Sequence, residues 1–201
     1  GIKFLFLQKA FIIYHSQFII SFMVPYTHKL SALEIIQTKI FTTETLLKPL
    51  IVWRFKGDTI VFTNGCFDII HRGHIDYLAK ASDLGGQLIV GINSDASVKR
   101  LCKSNARHLQ DEQARALIIA SLHFVSGVII FDEDTPIDLI KFVNPEVLVK
   151  GADYDAAETN KESKKYIVGS DVVKANKGEV KTIEFLEGYS TSSIEQKIKS
   201  A

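Results

Sequence analysis

Two histidines lie three residues apart in the segment TIVFTNGCFDIIHRGHIDYL, residues 59–78, just after a pattern typical of a buried strand. A helix beginning at this point places His71 and His74 on the same side of its first turn. The free backbone amides of a helix N-terminus attract phosphate, and imidazoles beside them can donate hydrogen bonds to the charge that develops in phosphoryl transfer. The spacing therefore predicts a phosphate site in which both histidines act on the reacting group.

Two glycines give a ligand access to this turn. Gly65 follows the strand and permits a tight turn with the backbone close to a ligand, and Gly73 removes a side chain that would block a nucleotide. A zinc site would need a third ligand and more often uses a four-residue histidine spacing, and neither is evident in the sequence. A surface or helix-capping role is the other interpretation of the pair, and its position after a strand and a glycine turn disfavours it.

A run of hydroxyl side chains, YSTSSI at residues 189–194, precedes the last helical pattern. Ser190, Thr191 and Ser192 fall where that helix begins, so they could cap it and hold nucleotide phosphates. Simple N-capping would by itself account for the run.

The elements that must position these residues alternate along the chain. Apolar, β-branched runs indicate strands at 59–63, 87–92, 127–131, 147–150 and 180–185, and amphipathic stretches between them indicate helices at 72–83, 95–101, 111–122, 136–143, 170–176 and 191–199. This alternation predicts an α/β fold: a doubly wound, parallel, five-stranded sheet with helices on both faces, of the Rossmann-like kind. Such sheets bind ligands at the carboxyl ends of their strands.

A helical N-terminal extension is expected before the sheet. Helices are predicted at 30–40 and 43–55, with a kink or break at Pro49, so residues 1–56 form the extension and residues 57–201 the catalytic domain. The apolar stretch at 2–22 contains polar residues and lacks a cleavage site, which disfavours a signal peptide or a membrane anchor. Because Met23 is the only methionine, we hypothesise that it is the natural start and that residues 1–22 are not native.

Composition excludes several classes of protein. The 24 Lys and Arg residues nearly balance the 23 Asp and Glu residues, which gives no basic field for nucleic acid. The two cysteines, Cys66 and Cys102, form no CxxC pair, so a disulfide scaffold is not expected and a reducing cytoplasm is the predicted setting.

Motifs HRGH and YSTSSI together resemble those of the HxGH nucleotidyltransferase superfamily. Most of residues 58–200 resemble the adenylyltransferase domain of the ADP-heptose synthesis enzymes, through FTNGCFDIIHRGHIDYL, LIVGINSDASVKRL, DEDTPIDLI, VLVKGADY, IVGSDVVKANKGEV and EGYSTSSI. VKGADY in particular separates this group from the choline- and glycerol-phosphate cytidylyltransferases. The chain departs from the family at Arg107-His108, where Arg-Pro is usual, and at Gln113, where Glu is usual.

This resemblance implies a single in-line displacement, in which a heptose 1-phosphate oxygen attacks the α-phosphorus of ATP and pyrophosphate leaves. Catalysis is then positioning and charge neutralisation, with Mg²⁺ arriving with ATP. The residues expected to act on phosphates are His71, His74, Lys99, Arg107 and Arg115. Those expected to bind the nucleotide or sugar are Thr63, Asn64, Gly65, Phe67, Asp68, Gly73, Lys150, Gly151, Asp153, Ser190, Thr191 and Ser192.

Other interpretations stay open. A cytidylyltransferase or an adenylyltransferase for another phosphate (glycerol phosphate, ethanolamine phosphate, FMN) would use the same chemistry, and a non-catalytic nucleotide-binding module would keep the fold. Within 201 residues a sugar-kinase domain is not expected, so a separate sugar kinase would supply the substrate. The apolar N-terminal segment could serve a homodimer interface. The polar segment 152–165 is predicted to be a lid with almost no apolar anchor.

Overall fold

The computed structural model describes residues 29–101 and 109–200. Residues 29–34 belong to a different compact unit from residues 35–201. In that short piece Ser31 Oγ accepts the Glu34 amide N–H at 3.2 Å, and the Glu34 carboxylate accepts the Ser31 N–H at 2.7 Å. Residues 1–22 and Met23 lie outside the described residues, so the hypothesis about the natural start stays a prediction. The domain boundary between residues 56 and 57 also stays a prediction.

Six parallel strands form one sheet in the part of the chain that the structure describes. They are β1 Ile40–Phe41, β2 Ile60–Gly65, β3 Gln87–Asn93, β4 Gly127–Phe131, β5 Val147–Gly151 and β6 Glu179–Ile183, in the order β1-β4-β3-β2-β5-β6. Every pairing is parallel. The predicted fold class is confirmed.

The number of strands needs one correction, from five to six. Residue 40, predicted to end the helix 30–40, instead forms β1 together with residue 41, and β1 pairs with β4 at Ile40–Val128 and Phe41–Ile129. The Lys39 carbonyl accepts the Val128 N–H at 2.8 Å and extends this edge pairing. A strand of two residues has no periodicity of its own, so only its partner β4 reveals it.

The described helices are α1 Ala32–Gln37, α2 Thr43–Phe55, α3 Arg72–Ser82, α4 Asp95–Leu101, α5 Glu112–Ala120, α6 Ile137–Val143, α7 Ser170–Ala175 and α8 Thr191–Lys199. Thr42 caps α2 through a reciprocal hydrogen-bonding pattern with Thr45. Pro49, predicted as a kink or break, does not end α2. Leu46 and Leu50 on either side of it are fully buried, and their packing holds the helix together despite the missing N–H.

The core lies on both faces of the sheet. Successive residues of β2 alternate between two buried clusters, with Val61 in one and Ile60 and Phe62 in the other. Because side chains alternate across a strand, both faces of the central strand are covered. Within residues 29–101 and 109–200, no helix combines the length and the apolar character needed to cross a membrane.

The strand order reverses beside β2. From β2 the chain proceeds to β3 and β4 on one side and then crosses to β5 and β6 on the other. The carboxyl ends of β2, β3 and β5 therefore surround a crevice, which is where doubly wound sheets bind their ligands. The residues that follow β2 enter that crevice.

Candidate active site

A cavity of about 680 Å³ opens at the carboxyl ends of the central strands. It brings together most of the predicted site residues, which come from β2, α3, β5 and the start of α8. The predicted residues that line it are Asn64, Gly65, Phe67, His71, Gly73, His74, Lys150, Gly151, Asp153, Ser190 and Thr191. The described residues predicted for the site that do not line it are Thr63, Asp68, Lys99, Arg115 and Ser192. Arg107 lies outside the described residues.

The two histidines stack on each other at the first turn of α3. Their ring centroids are 3.9 Å apart with an angle of 24° between the planes, and Phe67 meets His74 edge-on at 5.5 Å. His71 is the N-cap of α3, yet its side chain makes no capping hydrogen bond. The ring is therefore not used for capping, and the N-terminus of α3 lies at the cavity, which His71, Gly73 and His74 line.

Both imidazoles are held neutral. Burial lowers the pKa of His71, and burial together with the nearby His71 lowers the pKa of His74 to about 4. The Nδ1 atoms of both rings are buried without a hydrogen-bond partner among the described residues. A neutral imidazole carries one N–H and one lone pair, so each ring has a polar atom left for a ligand.

Gly73 makes room for protein groups as well as for a ligand. A Cβ at this position would lie 3.0 Å from His71 Nδ1 and 3.2 Å from Tyr189 Cβ. Gly73 thus permits the stacked position of His71 and the close approach of the segment before α8, which refines the prediction that it only clears space for a nucleotide. Gly65 similarly lets the Phe67 ring approach, 3.1 Å from where its Cβ would be.

A second helix N-terminus reaches the same cavity. Ser190 caps α8, its hydroxyl accepting the Ser193 N–H at 3.1 Å. Thr191, the first residue of α8, lines the cavity, whereas Ser192 is exposed and turned away from it. The N-termini of two helices, α3 and α8, therefore meet at one pocket, an arrangement suited to an anion with several phosphates.

Lys150 supplies the positive charge of the described cavity wall. It is the one lysine or arginine among the described lining residues. Its Nζ donates to the Asn64 carbonyl at 3.2 Å and lies 5.4 Å from the centre of the Tyr154 ring. Burial lowers its pKa to about 8, although Asp153 opposes that shift. Lys150 therefore joins the ends of β2 and β5 while facing the ligand space.

Arg115 does not line the cavity, and its predicted role in phosphate binding stays a prediction. Its side chain is fully buried. The guanidinium donates to the carbonyls of Cys66 at 2.7 Å, Asn93 at 2.8 Å and Gln110 at 3.2 Å, and pairs with Asp95 at 2.7 Å. It ties together the segments that follow β2 and β3 and the start of α5. Arg115 is thus a structural clamp behind the site.

Three further predicted site residues also lie outside the cavity lining. Thr63 is fully buried, and its hydroxyl hydrogen-bonds the Tyr77 hydroxyl at 2.8 Å. The Asp68 carboxylate accepts the backbone N–H groups of Leu109, at 2.8 Å to the nearer oxygen, and Gln110, at 2.9 Å, so it fixes the chain just after the undescribed residues 102–108. Lys99 is exposed on α4. None of these side chains lines the cavity.

The segment 152–165 is better anchored than its composition predicts. Tyr154 and Ala156 pack against the core cluster, and Lys161 pairs with Asp171 at 2.7 Å. The expectation of almost no apolar anchor was wrong, because one aromatic ring is sufficient to attach a polar segment. That the segment is a lid stays a prediction.

Known proteins resemble this chain over most of its length. The cytidylyltransferase-like family matches residues 62–197. The chain belongs to this family. The bifunctional protein HldE of Wolinella succinogenes is 48% identical over 165 residues, which is 82% of this chain and 32% of that protein. HldE of Campylobacter concisus is 54% identical over 142 residues, 71% of this chain and 27% of that protein. The chain thus spans about a third of the length of these curated relatives.

A solved structure gives a similar result. The lipopolysaccharide core biosynthesis protein of Thermoplasma volcanium matches with a TM-score of 0.50 and 25% identity, over 67% of this chain and all of that chain. The cytidylyltransferase-like match contains the histidine pair, Lys150 and the start of α8. Every described element that lines the cavity near the histidines therefore lies inside the family region.

Several lining residues were not predicted. They are Cys66, Tyr77, Asn93, Leu101, Asp134, Thr135, Pro136, Tyr154, Val168, Phe185 and Tyr189. Asn93 could have been found, because it directly follows the predicted strand 87–92 and strand ends meet at the site. Phe185 ends the predicted strand 180–185 and carries the same signal, and it reaches the cavity because Gly151 has no side chain to block it. Among the described residues no cluster of three or more His, Cys, Asp or Glu side chains could hold a metal ion.

Proposed function

We propose that this cytidylyltransferase-like chain transfers AMP from ATP to a sugar 1-phosphate, specifically a heptose 1-phosphate, to give an ADP-sugar and pyrophosphate. The observation that carries the proposal is the neutral, stacked pair of His71 and His74 beside the open N-terminus of α3. A neutral imidazole keeps one N–H that can donate a hydrogen bond to a phosphoryl oxygen, and a helix N-terminus adds aligned amide donors.

The proposed reaction needs no covalent intermediate on the protein. An oxygen of the sugar phosphate forms a bond to the α-phosphorus of ATP, and the bond from that phosphorus to the bridging oxygen of the β-phosphate breaks. The electron pair leaves with pyrophosphate, whose charge Mg²⁺ carried in with ATP would neutralise. The protein supplies position and hydrogen bonds: the histidines at the reacting phosphate, and Ser190 and Thr191 at the pyrophosphate end.

The acceptor is proposed from the relatives. Resemblance to the ADP-heptose synthesis enzymes favours heptose 1-phosphate, and both the HldE relatives and the lipopolysaccharide core biosynthesis protein support this choice. In this proposal Lys150, a cationic residue of β5 that lines the cavity, holds the acceptor phosphate. A separate kinase reaction would have to supply the sugar 1-phosphate. The cytoplasmic location predicted from cysteine usage stays a prediction.

The test is pyrophosphate release by purified protein with ATP or CTP against a panel of phosphates: heptose 1-phosphate, glucose 1-phosphate, glycerol 3-phosphate, phosphoethanolamine and FMN. We expect release with ATP and heptose 1-phosphate, and its loss in His74→Ala. Preference for CTP and an alcohol phosphate would identify the alternative cytidylyltransferase. Tight ATP binding without release on any acceptor would identify a non-catalytic module.

A further inference from the structure

Helix α8 brings Ser190 and Thr191 to the cavity although burial does little to hold it there. No residue of α8 is buried, and the strand before it, β6, contains no buried residue. Helices in proteins are held chiefly by packing of an apolar face. The position of the α8 N-terminus must therefore depend on other contacts.

Tyr189, which directly precedes the N-cap Ser190, contacts the first turn of α3. The Tyr189 hydroxyl accepts a hydrogen bond from Arg72 Nη1 at 3.1 Å, and the guanidinium carbon of Arg72 lies 5.3 Å from the centre of the tyrosine ring. Tyr189 also lies close to the Gly73 backbone, since a Cβ on Gly73 would be 3.2 Å from Tyr189 Cβ. Tyr189 is thus bound through both its ring and its hydroxyl.

Arg72 is placed to contact Tyr189, and it is not placed to contact a ligand in the cavity. It is the first residue of α3, between His71 and Gly73, and its side chain does not line the cavity. Its cation is directed to the tyrosine, which itself lines the cavity next to Ser190. A planar guanidinium can stack on a ring and donate a hydrogen bond at the same time, whereas a lysine ammonium lacks the planar fork.

We propose that Arg72 and Tyr189 form a latch that fixes the N-terminus of α8 beside the histidine pair, so that Ser190 and Thr191 meet the nucleotide phosphates. Both are positioning residues, and the identity of the ligand rests on the proposed function. The latch joins the two motifs HRGH and YSTSSI through side chains that neither motif requires for phosphate chemistry.

Hydrogen exchange of the free protein tests the latch without any turnover. In Arg72→Ala and Tyr189→Ala we expect faster exchange at residues 187–195 and unchanged exchange in β2 and β3. Lys80→Ala is the matched control, because Lys80 is a cation on the same helix whose ion pair with Asp76 lies away from Tyr189. Unchanged exchange at 187–195 in both latch variants would overturn the proposal.

Nucleotide binding tests whether the latch serves the site. With a non-hydrolysable ATP analogue, we expect Kd to rise between about threefold and tenfold in either single variant, as for loss of one exposed cation–π contact and one hydrogen bond. The double variant should be no weaker than the worse single variant, because both remove the same contact. Tyr189→Phe, which keeps the ring, should give an intermediate rise.

Two outcomes contradict the latch directly. If Arg72→Ala weakens binding of the analogue and Tyr189→Ala does not, Arg72 contacts the phosphates itself. If the two effects multiply in the double variant, the residues act separately. Failure of the proposed function would give a different result, namely no pyrophosphate release with any acceptor. The hydrogen-exchange and analogue-binding measurements would still test the latch in that case.

Discussion

Two helix N-termini meet at the cavity, and they are held in different ways. Helix α3 is built into the core, with Gly73, Tyr77, Leu78 and Ala81 buried, whereas α8 has no buried residue. The comparison shows that the same anion-binding device can be fixed by packing on one side of a site and by a few surface contacts on the other. A fixed α3 suits the chemical step, which depends on accurate position, and α8, without buried residues, is expected to open locally at a lower free energy than α3.

The largest effect on stability is expected when the buried Arg115 clamp is removed. Arg115→Met should lower the free energy of unfolding by about 3–5 kcal/mol, because it leaves Asp95 and three backbone carbonyls without their buried donor. Urea unfolding followed by circular dichroism would measure this. Arg100→Met is the control, since Arg100 pairs with Asp132 and Asp134 at the exposed surface. Equal stability of the two variants would show that Arg115 is not a clamp.

The histidine pair should dominate the chemical step. In His74→Ala we expect turnover to fall by a factor of about 100 or more, as for loss of one preorganised donor to the transition state. The melting temperature should change little by comparison with Arg115→Met. Turnover is measured as pyrophosphate release at saturating ATP and sugar phosphate. Wild-type turnover in this variant would remove His74 from the mechanism.

The buried state of His74 should appear as pH-dependent stability. Its pKa is about 4 in the native protein against an ordinary value of 6.5, so the unfolded chain binds more protons between these values. The free energy of unfolding should therefore fall as pH drops from 6.5 toward 4. The slope is measured by urea titrations across this range. His74→Gln should flatten it, and an identical slope in the variant would assign the effect to other groups.

The smallest effect on stability is expected at α8. Ser190→Ala removes the cap of a helix without buried residues, so global unfolding should shift by well under the roughly 1 kcal/mol typical of a cap. Binding of an ATP analogue should nevertheless weaken measurably, because the α8 N-terminus frays at the cavity. Denaturant unfolding would measure the change in global stability, and calorimetric titration would measure the change in binding of the ATP analogue. A large loss of global stability would mean that α8 is held as firmly as α3.

The sequence by itself determined the central sheet, the position of the histidine pair and the start of α8. These features depend on local patterns: a run of β-branched residues, a three-residue spacing, a capping serine. For the same reason the sequence predicted most of the cavity-lining residues at the ends of β2 and β5 and at the start of α3, because these residues lie at or just after a predicted strand.

The tertiary structure decided what each polar side chain faces. Arg115 was predicted to act on phosphates and Asp68 to bind the nucleotide, yet the first is buried behind the cavity and the second holds the backbone at residues 109 and 110. The contact of Arg72 with Tyr189 joins residues 117 positions apart, and β1 exists only because β4 lies beside it. No local pattern records such contacts, because they depend on how distant segments pack, and burial then determines whether a charge meets the ligand or the protein.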